Sequence, residues 1–359
     1  MKSLRKFPDP FLAEICAQPD ATRRAAEGLS AQTVGLRNLA QAASGIRTLL
    51  FTGMGASYHA CYPAVTELAA RGVAAHLVDT AELLHFRRPL LNGDTLIVSV
   101  SQSGESAEVV RLAEEVRAQS GAGRPFLVAI TNGTGNALFA QADVGLDSGA
   151  GIEHGPSTMT FSASLVVLSG VVRVLAGADP PEAVERTARA AEQAARIADR
   201  LLADPEEQAG ELLAWHRGRD TTVLLGRGPA RAASEMGALL LKESAGIPAE
   251  ALETAQFRHG PLELAGPDMA AVVIATEPET LSLDLALADE LVHAGAATLV
   301  VTTGEPPKGA LGVRVGAMDR TLAPSVSIAP VQLLAWRLAV ERGRTPGVLT
   351  RASKVTTHE

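Results

Sequence analysis

Ser101-Gln102-Ser103-Gly104-Glu105-Ser106 sets three hydroxyls and an amide side by side in one short stretch. An apolar run, Asp94 to Val100, precedes it, and Ala107 to Val116 follows with apolar residues at helical spacing. The stretch therefore reads as a turn from a buried strand into a helix. Backbone N–H groups and the positive end of the helix dipole face such a turn. With serine and glutamine donors beside them they form an anion cradle, and phosphate is its commonest occupant. The turn holds no lysine, so it would work through neutral donors. The plain alternative is an N-capped loop, because serine is a default cap. A second hydroxyl, Ser57, lies in Gly53-Met54-Gly55-Ala56-Ser57-Tyr58, after the strand-like Thr48–Thr52 and before a helix expected near His59. A dinucleotide fingerprint would need a third glycine at Tyr58, so that reading is set aside.

The elements around these turns alternate between strand and helix. Residues 1–45 read as an N-terminal helical segment. Strands are expected at 48–52, 75–78, 94–100, 125–131 and 143–146, and an apolar helix at 160–175. Strand–helix alternation argues for a parallel sheet covered on both faces. Residues 177–217 are rich in Ala, Arg and Glu and read as connecting helices. The pattern then restarts: strand 222–225, Gly226-Arg227-Gly228, helix 230–243, strands 271–275 and 298–301, a last strand 325–328 and a last helix 331–342. The repeat implies internal duplication of one α/β unit, placed at 46–176 and 218–342, with a C-terminal tail over 343–359. The second half has Thr276-Glu277-Pro278-Glu279 where the first has its serine turn, so one cradle per chain is expected.

Composition narrows the partners. Of 359 residues 47% are hydrophobic and 20% charged, enough for sizeable cores, and the net charge of -8 disfavours nucleic acid. Cys16 and Cys61 give neither a disulfide framework nor a metal pattern and fit a reducing compartment. No signal peptide or apolar run of about 20 residues is evident. The expectation is a cytoplasmic protein that uses no metal or cofactor and meets no membrane.

Several motifs in order carry a resemblance: Gly55-Ala56-Ser57-Tyr58-His59, the serine turn, Lys242-Glu243, Arg258-His259-Gly260-Pro261-Leu262 and Ala352-Ser353-Lys354-Val355-Thr356. With them the chain resembles, nearly end to end, the sugar isomerase (SIS) half of glucosamine-fructose-6-phosphate aminotransferase and its stand-alone relatives. The resemblance implies two tandem SIS domains, each a flavodoxin-like doubly wound α/β sheet. It implies that Ser57, Ser101, Gln102, Ser103 and Ser106 hold a sugar 6-phosphate, with serine at 106 in place of the usual threonine. It implies that Ser157 touches the sugar hydroxyls, in a loop one residue shorter than the family's. Glu243 would move a proton between C1 and C2, and Lys354 would form a Schiff base with the keto sugar. His259 would open the ring across the interface of a homodimer with shared sites.

Those residue types suit those tasks. A partly desolvated Glu has its pKa raised toward neutrality and can shuttle a carbon-bound proton. His titrates in the range that ring opening needs. A terminal lysine is otherwise a solvated tail residue, and Glu243 is otherwise a surface carboxylate beside Lys242. The resemblance also marks departures. Leu240, Met236, Met159 and Ala56 stand where the aminotransferase has polar residues. The chain begins about where the sugar half begins, so no glutaminase domain is expected. The first expectation is therefore isomerising deamination of an amino-sugar 6-phosphate, glucosamine 6-phosphate giving fructose 6-phosphate and ammonia. The alternatives are a deglycase acting on a fructosyl-amino-acid 6-phosphate and a non-catalytic sugar-phosphate-binding protein.

Overall fold

The computed structural model describes residues 9–358, so the first eight residues of the expected N-terminal helical segment over 1–45 and the last tail residue lie outside the described residues. The chain forms two compact units. The first comprises Asp20–Ile152, Met159–Glu192 and the C-terminal stretch from Arg351. The second comprises the chain up to Pro19, Glu153–Thr158 and Gln193–Thr350.

In the first unit, strands β1 (Thr48–Thr52), β2 (Ala75–Leu77), β3 (Thr95–Ser101), β4 (Phe126–Thr131) and β5 (Val144–Asp147) form a parallel sheet in the order β2-β1-β3-β4-β5. Every residue of β3 is buried, as a central strand covered on both faces requires. One face packs Leu50, Ile97, Leu127 and Ala129 against α6 (Thr80–Phe86), α7 (Ala107–Ala118) and α8 (Ala137–Gln141). The other face meets α4 (Gly55–Ala60) and α9 (Met159–Leu175). Burying each Leu or Val side chain of these layers contributes about 1.5–3 kcal/mol.

The second unit repeats the plan. Strands β6 (Thr221–Gly226), β7 (Ala249–Glu253), β8 (Met269–Ala275), β9 (Ala297–Thr302) and β10 (Leu311–Arg314) run parallel in the order β10-β9-β8-β6-β7. Read from the other edge this is the same order as in the first sheet, the flavodoxin-like 2-1-3-4-5. Helix α12 (Arg231–Leu240) lies on one face; α14 (Leu281–His293) covers the other with Leu287, Ala288 and Leu291.

One expected element is corrected. Residues 325–328 are not a strand: the first three close helix α15 (Ala323–Ser327), and Ile328 joins it to α16 (Ala329–Glu341). The Ser325 and Ser327 hydroxyls donate to the Leu322 and Ala323 carbonyls, 2.7 and 2.9 Å away, which suits a helical turn. A short buried apolar run does not by itself distinguish strand from helix. The stretch Ala323–Glu341 is apolar and long enough to cross a membrane, but 89% of its most apolar window is buried inside the protein, the position of a core helix.

The connecting region forms α10 (Pro180–Leu201) and α11 (Pro205–His216). The apolar face of α10 is built largely from alanines, Ala183, Ala191, Ala194 and Ala195 among them, all buried.

Candidate functional site

The order of the first sheet reverses between β1 and β3, and the turns at the carboxyl ends of those strands flank the crevice where open α/β sheets bind ligands. Ser57 sits in the first turn of α4, its N–H bonded to the Met54 carbonyl at 3.1 Å. Met54, not Ser57, is the cap residue, and it makes no side-chain cap bond.

After β3 the serine turn is held from within. Ser101 Oγ accepts from the Gly104 N–H and Ser103 Oγ from the Glu105 N–H, each at 3.1 Å. Each of these hydroxyls keeps its own proton to donate. Gly104 has φ +65, and a Cβ there would stand 1.9 Å from Asn136 Oδ1, so both conformation and space demand glycine. The Glu105 carboxylate is engaged within the fold: it accepts from the Ala137 N–H at 2.7 Å, at the start of α8. Ser106 occupies the cap position of α7 without using its side chain for capping. The capped-loop reading of the turn therefore fails for Ser106.

The first N–H of α7 has a main-chain partner. Ala107 donates to the carbonyl of Thr356 at 3.0 Å. This contact lays the tail against the helix that begins at the serine turn. Ser353 Oγ donates to the Val355 carbonyl at 2.5 Å, tightening the tail around Lys354, which is half-buried. Ser57, Ser101, Gln102, Ser103, Ser106 and Lys354 thus belong to one unit.

The second unit carries Ser157, Glu243 and His259. Glu243 lies in a π-helical segment, Leu241–Ala245, that continues α12. Such segments are rare and favour functional sites. The wider turn half-buries Glu243 between exposed Lys242 and buried Ser244 and Ala245. The segment ends at Gly246 with φ +64, where the Arg344 guanidinium packs closely over the backbone. His259 is exposed just after helix α13 (Thr254–Phe257), its N–H bonded to the Gln256 carbonyl at 3.0 Å. Beside it Arg258 grips Glu290 with two bonds of 2.7 and 2.9 Å.

Ser157 lies in a loop shaped by two buried carboxylates that the sequence reading gave no such role. Glu14, 5% exposed, accepts from the N–H groups of His154 and Gly155 at 2.5 and 3.2 Å. Glu153 accepts from the N–H and the hydroxyl of Thr158 at 2.8 and 3.1 Å. Carboxylates bonded to main-chain donors fix the loop on either side of Ser157. The π-helical segment was missed as well; no spacing rule marks it. Three of the departures, Met159, Met236 and Leu240, are buried apolar side chains, so these positions contribute core contacts. Among the described residues no group of three or more His, Cys, Asp or Glu is placed to hold a metal ion.

Two tandem sheets of one topology, with a hydroxyl-rich turn at a switch point, define the class. The SIS domain matches residues 44–172 and 217–342, and the chain belongs to that family. It is 32% identical to the glutamine–fructose-6-phosphate aminotransferase (isomerizing) of Aeropyrum pernix, over 98% of this chain and 58% of that protein. The chain thus spans a little over half the length of that relative. In structure it is similar to the C-terminal domain of glucosamine-fructose-6-phosphate aminotransferase from Francisella tularensis, with a TM-score of 0.83 at 23% identity, covering 95% of this chain and 98% of that one. It is also similar to a glucosamine-6-phosphate deaminase from Thermotoga maritima, with a TM-score of 0.71 at 20% identity, covering 96% and 99%.

Proposed function

We propose that the protein is an isomerising deaminase of an amino-sugar 6-phosphate, turning glucosamine 6-phosphate and water into fructose 6-phosphate and ammonia. The observation that carries the reading is the Thr356–Ala107 bond, which brings the lysine-bearing tail to the helix of the serine turn. Phosphate would be held by Ser57, Gln102 and the free protons of the Ser101, Ser103 and Ser106 hydroxyls. His259 opens the sugar ring, contributed by a neighbouring chain of a homodimer. Glu243 takes the C2 proton and returns it at C1, and the resulting C2 imine passes to Lys354 or is hydrolysed. Ammonia leaves, and water supplies the ketose oxygen, so atoms balance. Partial burial of Glu243 favours the proton-shuttling role. A cytoplasmic location suits a sugar-phosphate substrate.

The second reading is a deglycase of a fructosyl-amino-acid 6-phosphate. The resemblance supports it at one position: Leu240 stands where the aminotransferase has a lysine near the sugar O1, and the missing lysine would make room for an amino-acid substituent. One experiment separates the readings. The protein is incubated with glucosamine 6-phosphate, with its non-phosphorylated form and with fructosyl-amino-acid 6-phosphates, while ammonia, free amino acid and ketose phosphate are assayed. Ammonia and fructose 6-phosphate from the first substrate alone support the deaminase. Free amino acid released from the third class supports the deglycase. Binding without any product leaves a sugar-phosphate-binding protein.

A further inference from the structure

The duplication gives the strand–turn–helix of the first crevice a counterpart in the second unit. β3 ends at Ser101 and α7 begins at Ala107; β8 ends at Ala275 and α14 begins at Leu281. The offset is 275 − 101 = 174 and again 281 − 107 = 174. Ser103 therefore corresponds to Glu277, Gly104 to Pro278 and Ser106 to Thr280. The second turn has lost much of its main-chain donor capacity. Pro278 has no N–H, and the Thr280 N–H bonds back to the Glu277 carbonyl at 3.1 Å.

Guanidinium groups take over as donors, and each is matched by a carboxylate of the chain itself. Arg320 donates to Glu277 Oε2 from two nitrogens, at 2.8 and 3.2 Å, and to Glu279 at 2.8 Å. Arg227, just after β6, donates to Asp284 at 2.7 Å and has Glu253 at 3.8 Å. Thr280 Oγ donates to the other Asp284 oxygen at 2.9 Å. Glu277 is 3% exposed and Asp284 1%. Glu277 Oε1 is buried and faces away from Arg320, with the Thr276 hydroxyl as its neighbouring donor. Burial pushes the Glu277 carboxyl up despite the pull of Arg320. Glu277 is thus a buried anion whose one counterion, Arg320, binds through a single carboxylate oxygen.

We infer that the second crevice is an anion site that the chain fills by itself, with the Glu277 carboxylate seated against Arg320 where a free carboxylate or phosphate would otherwise bind. The inference goes beyond the proposed deamination and does not depend on it.

Chemical rescue tests it. Glu277→Ala removes the internal anion and leaves room for a small carboxylate beside Arg320. Sodium acetate, compared with sodium chloride at equal ionic strength, should raise the Tm of Glu277→Ala saturably by about 2–4 °C. It should leave the wild type unchanged and lose its effect on the double variant Glu277→Ala, Arg320→Gln. If Glu277→Ala does not fold alone, refolding should succeed in acetate and fail in chloride. A folded Glu277→Ala indifferent to acetate, equal rescue without Arg320, or refolding that ignores acetate would each overturn the inference.

Discussion

At the serine turn the hydroxyls differ in remaining capacity. Ser101 and Ser103 already accept one loop N–H each and can still donate, whereas Ser106 has no cap bond to keep it from a ligand. Ser103→Ala should therefore remove both a donor to phosphate and the brace on Glu105. The expected loss in sugar-phosphate affinity is about 1.5–3 kcal/mol, measured by calorimetry. Equal binding of glucosamine and its 6-phosphate would show instead that no phosphate is held. Gly104→Ala should cost more in stability than in contacts. The left-handed conformation carries a penalty of about 1–2 kcal/mol, and the new methyl displaces Asn136, whose side chain caps α8 at the Phe139 N–H. A fall of about 2 kcal/mol or more is expected in urea unfolding. The hydroxyl pattern of 101–106 was legible because strand, turn and helix signals all agreed there. The buried roles of Glu14 and Glu153 were not. A carboxylate bonded to a loop distant in sequence looks like any surface acid until the loop folds over it.

Element signals were strongest where burial is complete. The strands β1, β3 and β4 of the first sheet were found to within a residue because buried parallel strands read as continuous apolar runs. The strands that escaped notice, β7 and β10, lie at the edge of their sheet, are half-exposed, and carry Glu, Gly and Arg. The buried face of α10 is a stripe of alanines, which gives little apolar signal in the sequence. Helix α11 and strand β6 supply a pH response: His216 of α11 bonds Thr222 of β6 at 2.9 Å. Burial lowers the His216 imidazole from its ordinary value of 6.5, and Arg219 and Arg342 lower it further. Between that lowered value and 6.5 the unfolded chain binds a proton that the folded chain refuses. This contribution to stability is complete above about pH 6.5 and is lost as pH falls through the folded value. Asp284 and Glu277, with carboxyls raised mainly by burial, respond oppositely: their contribution falls as pH rises from 3.8 and 4.5, their ordinary values, through the raised ones. Urea midpoints taken from about pH 7.5 down to 5.5 should fall in the wild type and fall less in His216→Gln. An unchanged slope in the variant would assign the loss to other groups.

For the whole molecule, duplication was readable from the restart at Thr222, and the matching strand order of the two sheets bears it out. The boundaries of the compact units were not readable, because Glu153–Thr158 groups with the second unit while the residues on either side group with the first. Local sequence gives no sign of such an exchange. His259 is exposed, which leaves it available to a neighbouring chain's site. If the site is shared, His259→Ala and Glu243→Gln, each inactive alone, should regain part of the turnover when mixed as verified heterodimers. Mixed dimers as inactive as their parents would confine the site to one chain.

The bond from Ala107 to Thr356 is made by the backbone, and that decides what the tail can tolerate. A main-chain carbonyl is present whatever the side chain, so Thr356→Ala should leave turnover almost intact. What the bond measures is length: Lys354 stands two residues before the anchored carbonyl, and the chain between them acts as a ruler. Inserting one glycine between Val355 and Thr356 would shift the lysine by up to about 3.4 Å, more than the nitrogen of the proposed Schiff base could miss its carbon by. Assays of the two variants side by side should show a tail permissive in composition at position 356 and intolerant of a change in count.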